Sequence, residues 1–300
     1  MITVRVPASS ANLGAGFDCL AIAVQIYNTF TFEELDDGFE LKGSMFDYNS
    51  DMNLTYVAMM KTFRKVGYSP KGIRMLMDTD IPIARGLGSS AACILGGIIG
   101  ANELAGGPLS KEEILALAIE MEGHSDNITA QLHGGATVSI QVEDRYLSQT
   151  IHLPEGIALC TLVPEFQLET VEARAVLPQT IDYQDALFNL ARSSYLVAAL
   201  SNGDWEQVGH GFEDKLHQPY RAKLIPNYAE VVAASRQHGA LGTYISGGGP
   251  TLVALIRSED QTYIENMQAS LQSLPNRWVC TEVLIDRSGT LVTRGASSVG

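Results

Sequence analysis

Positive charge is scarce in this chain. Of its 300 residues, 20 are lysine or arginine and 34 are aspartate or glutamate, so the formal net charge is −14. A surface of this sign repels polyanions, which argues against nucleic acid or an anionic membrane surface as a partner. An anionic ligand must therefore be held by local donors rather than by a broad basic surface.

Cysteine is scarce as well. The four cysteines, Cys19, Cys93, Cys160 and Cys280, lie far apart and form no C-x-x-C pair. The sequence therefore predicts neither a zinc site nor a disulfide framework. Reduced thiols are expected, as in the cytoplasm.

Long hydrophobic runs are missing too. The longest small and apolar run, residues 91–101, is shorter than the roughly 20 residues that cross a bilayer. Residues 1–6 alternate like a first strand and lack the apolar core of a signal peptide. We therefore expect a soluble, cytoplasmic protein with no membrane partner.

The composition that remains, 46% hydrophobic and 18% charged, is typical of a globular protein with one large or two medium domains. Alternating apolar residues predict strands over 3–6, 21–32 and 73–77, and helical spacing predicts helices over 53–66, 91–104 and 110–121. Asp36–Gly38 predicts a hairpin turn between two strands.

The pattern starts again at about residue 155, where a soft boundary is expected. It predicts strands over 157–163, 243–246, 252–256 and 278–285, and helices over 185–200, 205–217, 228–238 and 261–274. The polar, glycine- and serine-rich end, residues 287–300, is expected to be disordered.

The most informative segment is a glycine- and serine-rich turn that leads into a small, apolar helix. Gly86 and Gly88 allow positive φ and close approach of the backbone to a ligand, and Ser89 or Ser90 is expected to cap the helix. The N–H groups of the first helical turn then face an anion such as phosphate. No G-x-x-x-x-G-K-[ST] string occurs, so this is not a P-loop. The segment comprises Pro82, Ile83, Ala84, Arg85, Gly86, Leu87, Gly88, Ser89, Ser90, Ala91 and Ala92.

Three further segments concentrate polar groups and glycine. The first, residues 7–18, reads PASSANLGAGFD, the second, residues 122–127, reads EGHSDN before Gly134 and Gly135, and the third, residues 242–251, reads GTYISGGGPT. Each could be a structural turn, but together they supply amides, carboxylates and backbone donors.

These segments resemble the GHMP small-molecule kinases and, within that superfamily, the homoserine kinases. Residues 82–92 match P-x-x-x-G-L-G-S-S-A-[AS] at every fixed position, and residues 7–18 match P-[AG]-S-[ST]-A-N-L-G-x-G-F-D. The chain departs from the family at Ser125, where proline is usual, and at Gly248, where serine is usual. The resemblance covers roughly residues 3–256.

The resemblance implies an α+β GHMP kinase fold and phosphorylation of L-homoserine by ATP, a step towards threonine. Residues 1–154 would form an ATP-binding domain like ribosomal protein S5 domain 2, and residues 155–300 a ferredoxin-like domain, with the active site between them. It also implies a homodimer. A sister kinase for mevalonate or a sugar, or a metabolite sensor without activity, are the alternatives.

The resemblance also implies roles for single residues. Residues 82–92 would bind ATP, and Ser90 would hold Mg²⁺ together with Glu120, with Glu122 as the alternative. Two residues apart on a helix, these glutamates cannot easily share one metal. The residues expected to bind homoserine are Asn12, Asp18, His124, Asp126, Thr170, Arg174, Arg221 and Gly248.

Asn12, Asp126 and Asn127 are the expected catalytic residues. Some GHMP relatives place an aspartate where Asn127 stands, and an amide cannot accept a proton. We therefore hypothesise that the substrate hydroxyl loses its proton late, to phosphate or water, while Asn12 orients it. Asp126 is the alternative base.

Overall fold

The computed structural model describes residues 1–43 and 53–295. Its strands are β1 (Ile2–Ala11), β2 (Leu20–Leu35), β3 (Gly38–Gly43), β4 (Gly72–Thr79), β5 (Ala136–Val142), β6 (Arg145–Ile151), β7 (Ile157–Pro164), β8 (Gly242–Ile245), β9 (Leu252–Arg257), β10 (Trp278–Val283) and β11 (Leu291–Arg294). Its α-helices are α1 (Leu54–Val66), α2 (Ser89–Leu104), α3 (Lys111–Glu122), α4 (Asp126–His133), α5 (Thr170–Ala175), α6 (Tyr183–Asn202), α7 (Gln218–Arg221), α8 (Tyr228–Gln237) and α9 (Tyr263–Leu271).

The first sheet has the order β11-β1-β2-β4-β3, with β5 and β6 attached to the early part of β2. β2 is long enough to have two neighbours on one side, because residues 20–22 pair with β5 and residues 28–35 pair with β4. The second sheet, β10-β7-β9-β8, is antiparallel throughout. Two sheets with nine helices in the described residues make the α+β class that the sequence predicts.

Helix α2 lies directly on the first sheet because its packing face is built of glycine. A Cβ atom at Gly96 would lie 2.3 Å from the ring of Phe30, and one at Gly100 would lie 2.2 Å from the ring of Phe32. A Cβ atom at Gly97 would meet the carbonyl oxygen of Thr55 in α1 at 2.2 Å. This close packing fixes the start of α2, where the phosphate-binding segment was predicted.

Local sequence signals set the ends of two of the predicted helices. Asn53 caps α1 and Gly67 ends it in the left-handed conformation (φ 68°). Ser110 and Glu113 form the capping box of α3. These helix ends depend only on neighbouring residues, so a short stretch of sequence is sufficient to specify them.

Three predictions about the arrangement of elements are wrong. Asp36–Gly38 does not join a hairpin, because β4 lies between β2 and β3 and pairs with β3 in parallel. Residues 205–217 contain only a short 3-10 helix, Val208–Phe212, before Asp214 accepts the N–H groups that start α7. Residues 291–294 are not disordered but pair with β1, and residues 296–300 lie outside the described part.

Strand β11 also bears on the predicted division at residue 154. The chain passes from the first sheet to the second between Ile151 and Ile157, but its last strand returns to the first sheet. The end of residues 155–300 therefore contributes a strand to the first sheet. No helix within the described ranges is both long and apolar enough to span a membrane.

The two sheets are joined where β1 ends and the loop between β8 and β9 begins. Ser10 Oγ lies 2.8 Å from Ser246 Oγ, and Gly247 N donates to Ala11 O at 3.1 Å. Asn12 Nδ2 donates to Gly247 O at 2.8 Å. These bonds place two of the polar segments singled out in the sequence against each other.

Candidate active site

A cavity of about 300 Å³ opens at this junction. It is lined by the segment 82–90, by the end of β1, by the loop between α3 and α4, and by α5 and α7. Most of the residues predicted as binding or catalytic line it, namely Asn12, Asp18, Ser90, His124, Asp126, Asn127, Thr170, Arg174, Arg221 and Gly248. Ala91 and Ala92 do not line it, because they are fully buried beneath the helix start.

The glycine-serine segment ends in an uncapped helix. Gly88, in the left-handed conformation (φ 72°), is the N-cap of α2, and no side chain of the described residues caps this end. The prediction that Ser89 or Ser90 caps α2 is therefore wrong, since both already belong to the helix. The N–H groups of Ser89, Ser90 and Ala91 consequently have no partner within α2, as an anion-binding helix start requires.

This segment is held from behind by both halves of the chain. Ser246 Oγ donates to Gly86 O at 2.6 Å, and Gln131 Nε2 donates to Gly88 O at 2.8 Å. The Arg85 guanidinium donates to the carbonyl oxygens of Pro164 and Glu165, so it anchors the loop to β7. The loop is thus preorganised rather than ordered by its ligand.

Glu122, and not Glu120, lies beside the phosphate-binding segment. Ser90 Oγ donates to Glu122 Oε1 at 2.7 Å, and the Glu122 side chain is only 7% exposed. Burial raises the pKa of Glu122, against the opposing effects of His124 and the Ser90 hydroxyl. Glu120 is 65% exposed and pairs with Lys61 on the surface. The preference for Glu120 as the partner of Ser90 is therefore corrected.

His124 lies between two carboxylates. Its Nδ1 atom is 2.9 Å from Asp126 Oδ1 and its Nε2 atom is 3.5 Å from Glu122 Oε1. Burial alone would lower the pKa of His124, but the hydrogen bond and charge of Asp126, together with the charge of Glu122, raise it overall. The imidazolium form therefore neutralises part of an otherwise acidic corner.

Two asparagines fix the floor of the cavity. Asn12 Oδ1 accepts the N–H of Asp18 at 2.9 Å while its amide nitrogen holds Gly247. Asn127 Oδ1 accepts the Ser9 hydroxyl at 2.7 Å. Asn127 Nδ2 takes part in neither of these bonds, and Asn12 Nδ2 has a second hydrogen atom, so each amide could still donate to a ligand.

Asp18 and Arg174 form a bidentate ion pair across the cavity. The two Nη atoms of Arg174 donate to the two carboxylate oxygens of Asp18 at 2.8 and 3.1 Å. Burial opposes the charge of Arg174, but the Asp18 bonds outweigh it and its pKa is raised. The cavity thus presents an anion and a cation close together.

Arg221 supplies a second, deeply buried cation. It is 2% exposed, and its Nε and Nη1 atoms donate to the carbonyl oxygens of Ala173 and Gly247 at 3.1 and 2.9 Å. Burial lowers the pKa of Arg221 to about 10, and the nearby charge of Arg174 adds to this shift. A buried cation of this kind favours an anionic ligand.

His217, which sequence reasoning did not single out, lies behind Arg221. Its Nε2 atom is 2.8 Å from Gly14 O and its Nδ1 atom is 3.2 Å from Arg221 Nη1. Burial lowers the pKa of His217 to about 4; Asp214 opposes this shift and Arg221 adds to it. The only sequence signal was its place four residues before Arg221.

The lowered pKa of His217 predicts how the free energy of unfolding depends on pH. An unfolded histidine with a pKa near 6.5 binds a proton that native His217 does not, so acid favours the unfolded chain. We expect this residue to remove about 2 kcal/mol from the free energy of unfolding between pH 7 and pH 5. Urea denaturation at pH 7 and at pH 5 should show that the difference in free energy of unfolding between wild type and His217→Asn is smaller at pH 5 by that amount.

The comparison with His217→Asn isolates the effect. The raised pKa of His124 acts with the opposite sign, stabilising the native state below its unfolded pKa, but it is present in both proteins. An unchanged difference at the two pH values would show that His217 does not titrate as described.

Comparison with known proteins defines the class of protein to which the chain belongs. The families described as GHMP kinases N terminal domain and GHMP kinases C terminal match residues 53–135 and 196–274. The L. major mevalonate kinase complexed with R-mevalonate has a TM-score of 0.72 over 95% of this chain and 96% of its own, at 15% identity, which shows the shared fold alone. Together with the glycine-serine segment, these matches make the chain a GHMP kinase.

Closer relatives narrow the class. Homoserine kinase of Clostridium botulinum (strain Okra / Type B1) is 48% identical over 97% of this chain and 98% of its own length. That of Caldicellulosiruptor saccharolyticus is 41% identical over 99% and 98%. The crystal structure of homoserine kinase from Cytophaga hutchinsonii has a TM-score of 0.86 at 25% identity, covering 97% of both chains. The chain belongs to the homoserine kinase family.

Proposed function

We propose that this chain transfers the γ-phosphoryl group of ATP to the hydroxyl of L-homoserine, a step towards threonine. The observation that carries the proposal is one cavity lined by two different sets of groups. One set is an uncapped helix start with free N–H groups, and the other is formed by Asp18, Arg174 and Arg221. The first suits a triphosphate and the second suits an amino acid with both charges.

The zwitterionic substrate fits the ion pair. Its ammonium group would bind Asp18, and its carboxylate would bind Arg174 and Arg221, so each charge of the Asp18–Arg174 pair keeps an opposite charge nearby. Thr170, Gly248, Asn12, His124 and Asp126 line the same region and would complete the pocket. Mevalonate and galactose carry no ammonium group, so neither would offer a cation to Asp18.

Residues 82–90 would hold the phosphates of ATP through the backbone. Ser90 and Glu122 would hold a Mg²⁺ ion beside those phosphates, because this metal takes hard oxygen ligands and keeps several waters, and the two side chains offer two oxygens. The described residues contain no group of three side chains able to hold a metal by themselves. The ion, when bound, would neutralise charge on the transferred group.

The hydroxyl oxygen attacks the γ-phosphorus while the bond to the bridging oxygen of ADP breaks. We propose that the hydroxyl proton leaves late, to phosphate or water, with Asn12 orienting the hydroxyl. Asn127 is an amide and accepts Ser9, so it is not the base. Asp126 shares its Oδ1 atom with His124 and remains the alternative.

A phosphoryl-transfer assay with purified protein tests this function. ADP release should accompany homoserine phosphorylation and should stay at background with mevalonate or galactose. Tight homoserine binding without ADP release would instead support a sensor. In the same assay, loss of the acidic limb of the pH–rate profile in Asp126→Asn, with Asn12→Ala and Asn127→Ala unchanged, would identify Asp126 as the base.

The resemblance also supports two domains, 1–154 and 155–300, with residues 291–294 returning to the first sheet. It further supports Mg²⁺ dependence, a cytoplasmic location and a homodimer. Light scattering of the purified protein checks the oligomeric state.

A further inference from the structure

We propose that Phe17 and His217 are positioning residues that hold Arg174 and Arg221 in the orientation required by the substrate carboxylate. The proposal rests on the proposed function, which assigns that carboxylate to the two arginines. Neither Phe17 nor His217 lines the cavity, so both would act through the guanidinium groups.

Arg221 needs external positioning because no carboxylate of the described residues pairs with it. All the contacts given for Arg221 are with neutral acceptors: the carbonyl oxygens of Ala173 and Gly247, and His217 Nδ1. Its Nη2 atom has no hydrogen-bond partner among the described residues, although the residue lines the cavity. The charge is therefore held in place by dipoles and left available to an incoming anion.

His217 provides the hydrogen-bond acceptor that fixes the Arg221 guanidinium. The Nε2 atom of His217 faces Gly14 O at 2.8 Å, and a carbonyl oxygen can only accept, so Nε2 carries the proton. Nδ1 is then the lone-pair nitrogen that accepts from Arg221. Asp214 fixes the main chain that carries this ring by accepting the backbone N–H groups of His217 and Gln218 at 2.9 and 2.6 Å.

Phe17 brings the two arginines together. The guanidinium carbons of Arg221 and Arg174 lie 5.1 and 5.9 Å from the centre of its ring. The ring also stacks on His217, at 5.0 Å between centroids and 19° between planes. Two guanidinium groups repel each other, and attraction to the electron-rich face of a shared ring offsets part of that repulsion.

This arrangement predicts that substitution of His217 or Phe17 weakens only the binding of the substrate carboxylate. Losing a hydrogen bond to a charged group should raise the KM for homoserine about tenfold in His217→Leu, and losing the shared ring should raise it about fivefold in Phe17→Leu. The KM for ATP should stay within about twofold, since the helix start that binds phosphate is not touched.

The decisive readout uses 3-aminopropan-1-ol, which is homoserine without its carboxylate. Its kcat/KM, or its inhibition constant against homoserine where turnover is too slow to follow, should be the same in wild type and both variants. Equal losses with homoserine and with 3-aminopropan-1-ol would overturn the proposal, because a merely structural role would affect both. An unchanged KM for homoserine would overturn it too.

Matched variants separate positioning from folding. Phe17→Tyr keeps the ring, and His217→Asn keeps an acceptor near Nδ1. Both variants should therefore have a KM for homoserine close to that of wild type. Phe188→Leu is the control, because Phe188 also lies beneath two cations, Arg192 and Lys215, away from the cavity. Should His217→Leu not fold, His217→Gln replaces it, since glutamine reaches Gly14 but not Arg221.

The outcomes also separate this proposal from the proposed function. Absence of homoserine phosphorylation by the wild type would refute the function itself. Wild-type activity combined with equal losses on both substrates would refute only the positioning role.

Discussion

Gly86→Ala is expected to lower kcat/KM for ATP about 100-fold or more. A Cβ atom at this position would lie 2.2 Å from the carbonyl oxygen of Ser246 and 2.8 Å from that of Gly249. Both are backbone atoms that cannot move aside cheaply, and the φ of 75° adds strain for any other residue. The loop must therefore shift away from the geometry that presents its N–H groups to the phosphates. Steady-state kinetics with varied ATP would measure the loss.

Gly106→Ala is the matched control for this prediction. Gly106 has a similar φ, 89°, but a Cβ atom there would meet nothing within 4 Å. We expect Gly106→Ala to lose about 1 kcal/mol of stability and to keep its activity. Equal losses of kcat/KM in the two variants would mean that backbone strain, and not the contact with the loop of Ser246, causes the loss of activity. A fully active Gly86→Ala would contradict the assigned phosphate site.

Features encoded by neighbouring residues could be predicted from the sequence. The starts of the helices predicted over 53–66 and 110–121 and the glycine-serine segment each require only a few consecutive side chains. The polar cluster at the cavity could be assembled only through the family resemblance. Its members come from distant parts of the chain, so spacing alone carries no information about their proximity.

Features that depend on competition between distant elements were missed. β4 displaces β3 from β2 because it buries Ile73 and Met75, whereas β3 has no buried residue, so the more apolar strand takes the inner position. The last strand was missed for a similar reason. Leu291 and Val292 are exposed, and the strand is held by pairing with β1 rather than by an apolar face.

The choice between Glu120 and Glu122 could have been made from the helical pattern. Successive residues of a helix are separated by about 100°, so two residues turn the side chain through roughly 200°. Glu122 follows Leu115 and Ala118, both buried, at spacings of seven and four residues, which places it on the inner face of α3. Glu120 falls on the opposite face, beside Lys61.

Glu122→Gln is expected to lower kcat by about 100- to 1,000-fold, the range seen when one electrostatic contact to a transferring group is removed. Glutamine keeps the size of the side chain and can still accept the Ser90 hydroxyl, but it lacks the charge that would attract Mg²⁺. The variant should therefore need more Mg²⁺ for half-maximal rate, while its KM for homoserine changes little. Glu120→Gln, with the same chemical change on the exposed face of α3, should stay within about twofold of wild type. A Glu120→Gln variant that lost activity while Glu122→Gln kept it would contradict the role assigned to Glu122 and would place the metal-binding carboxylate on the outer face of α3.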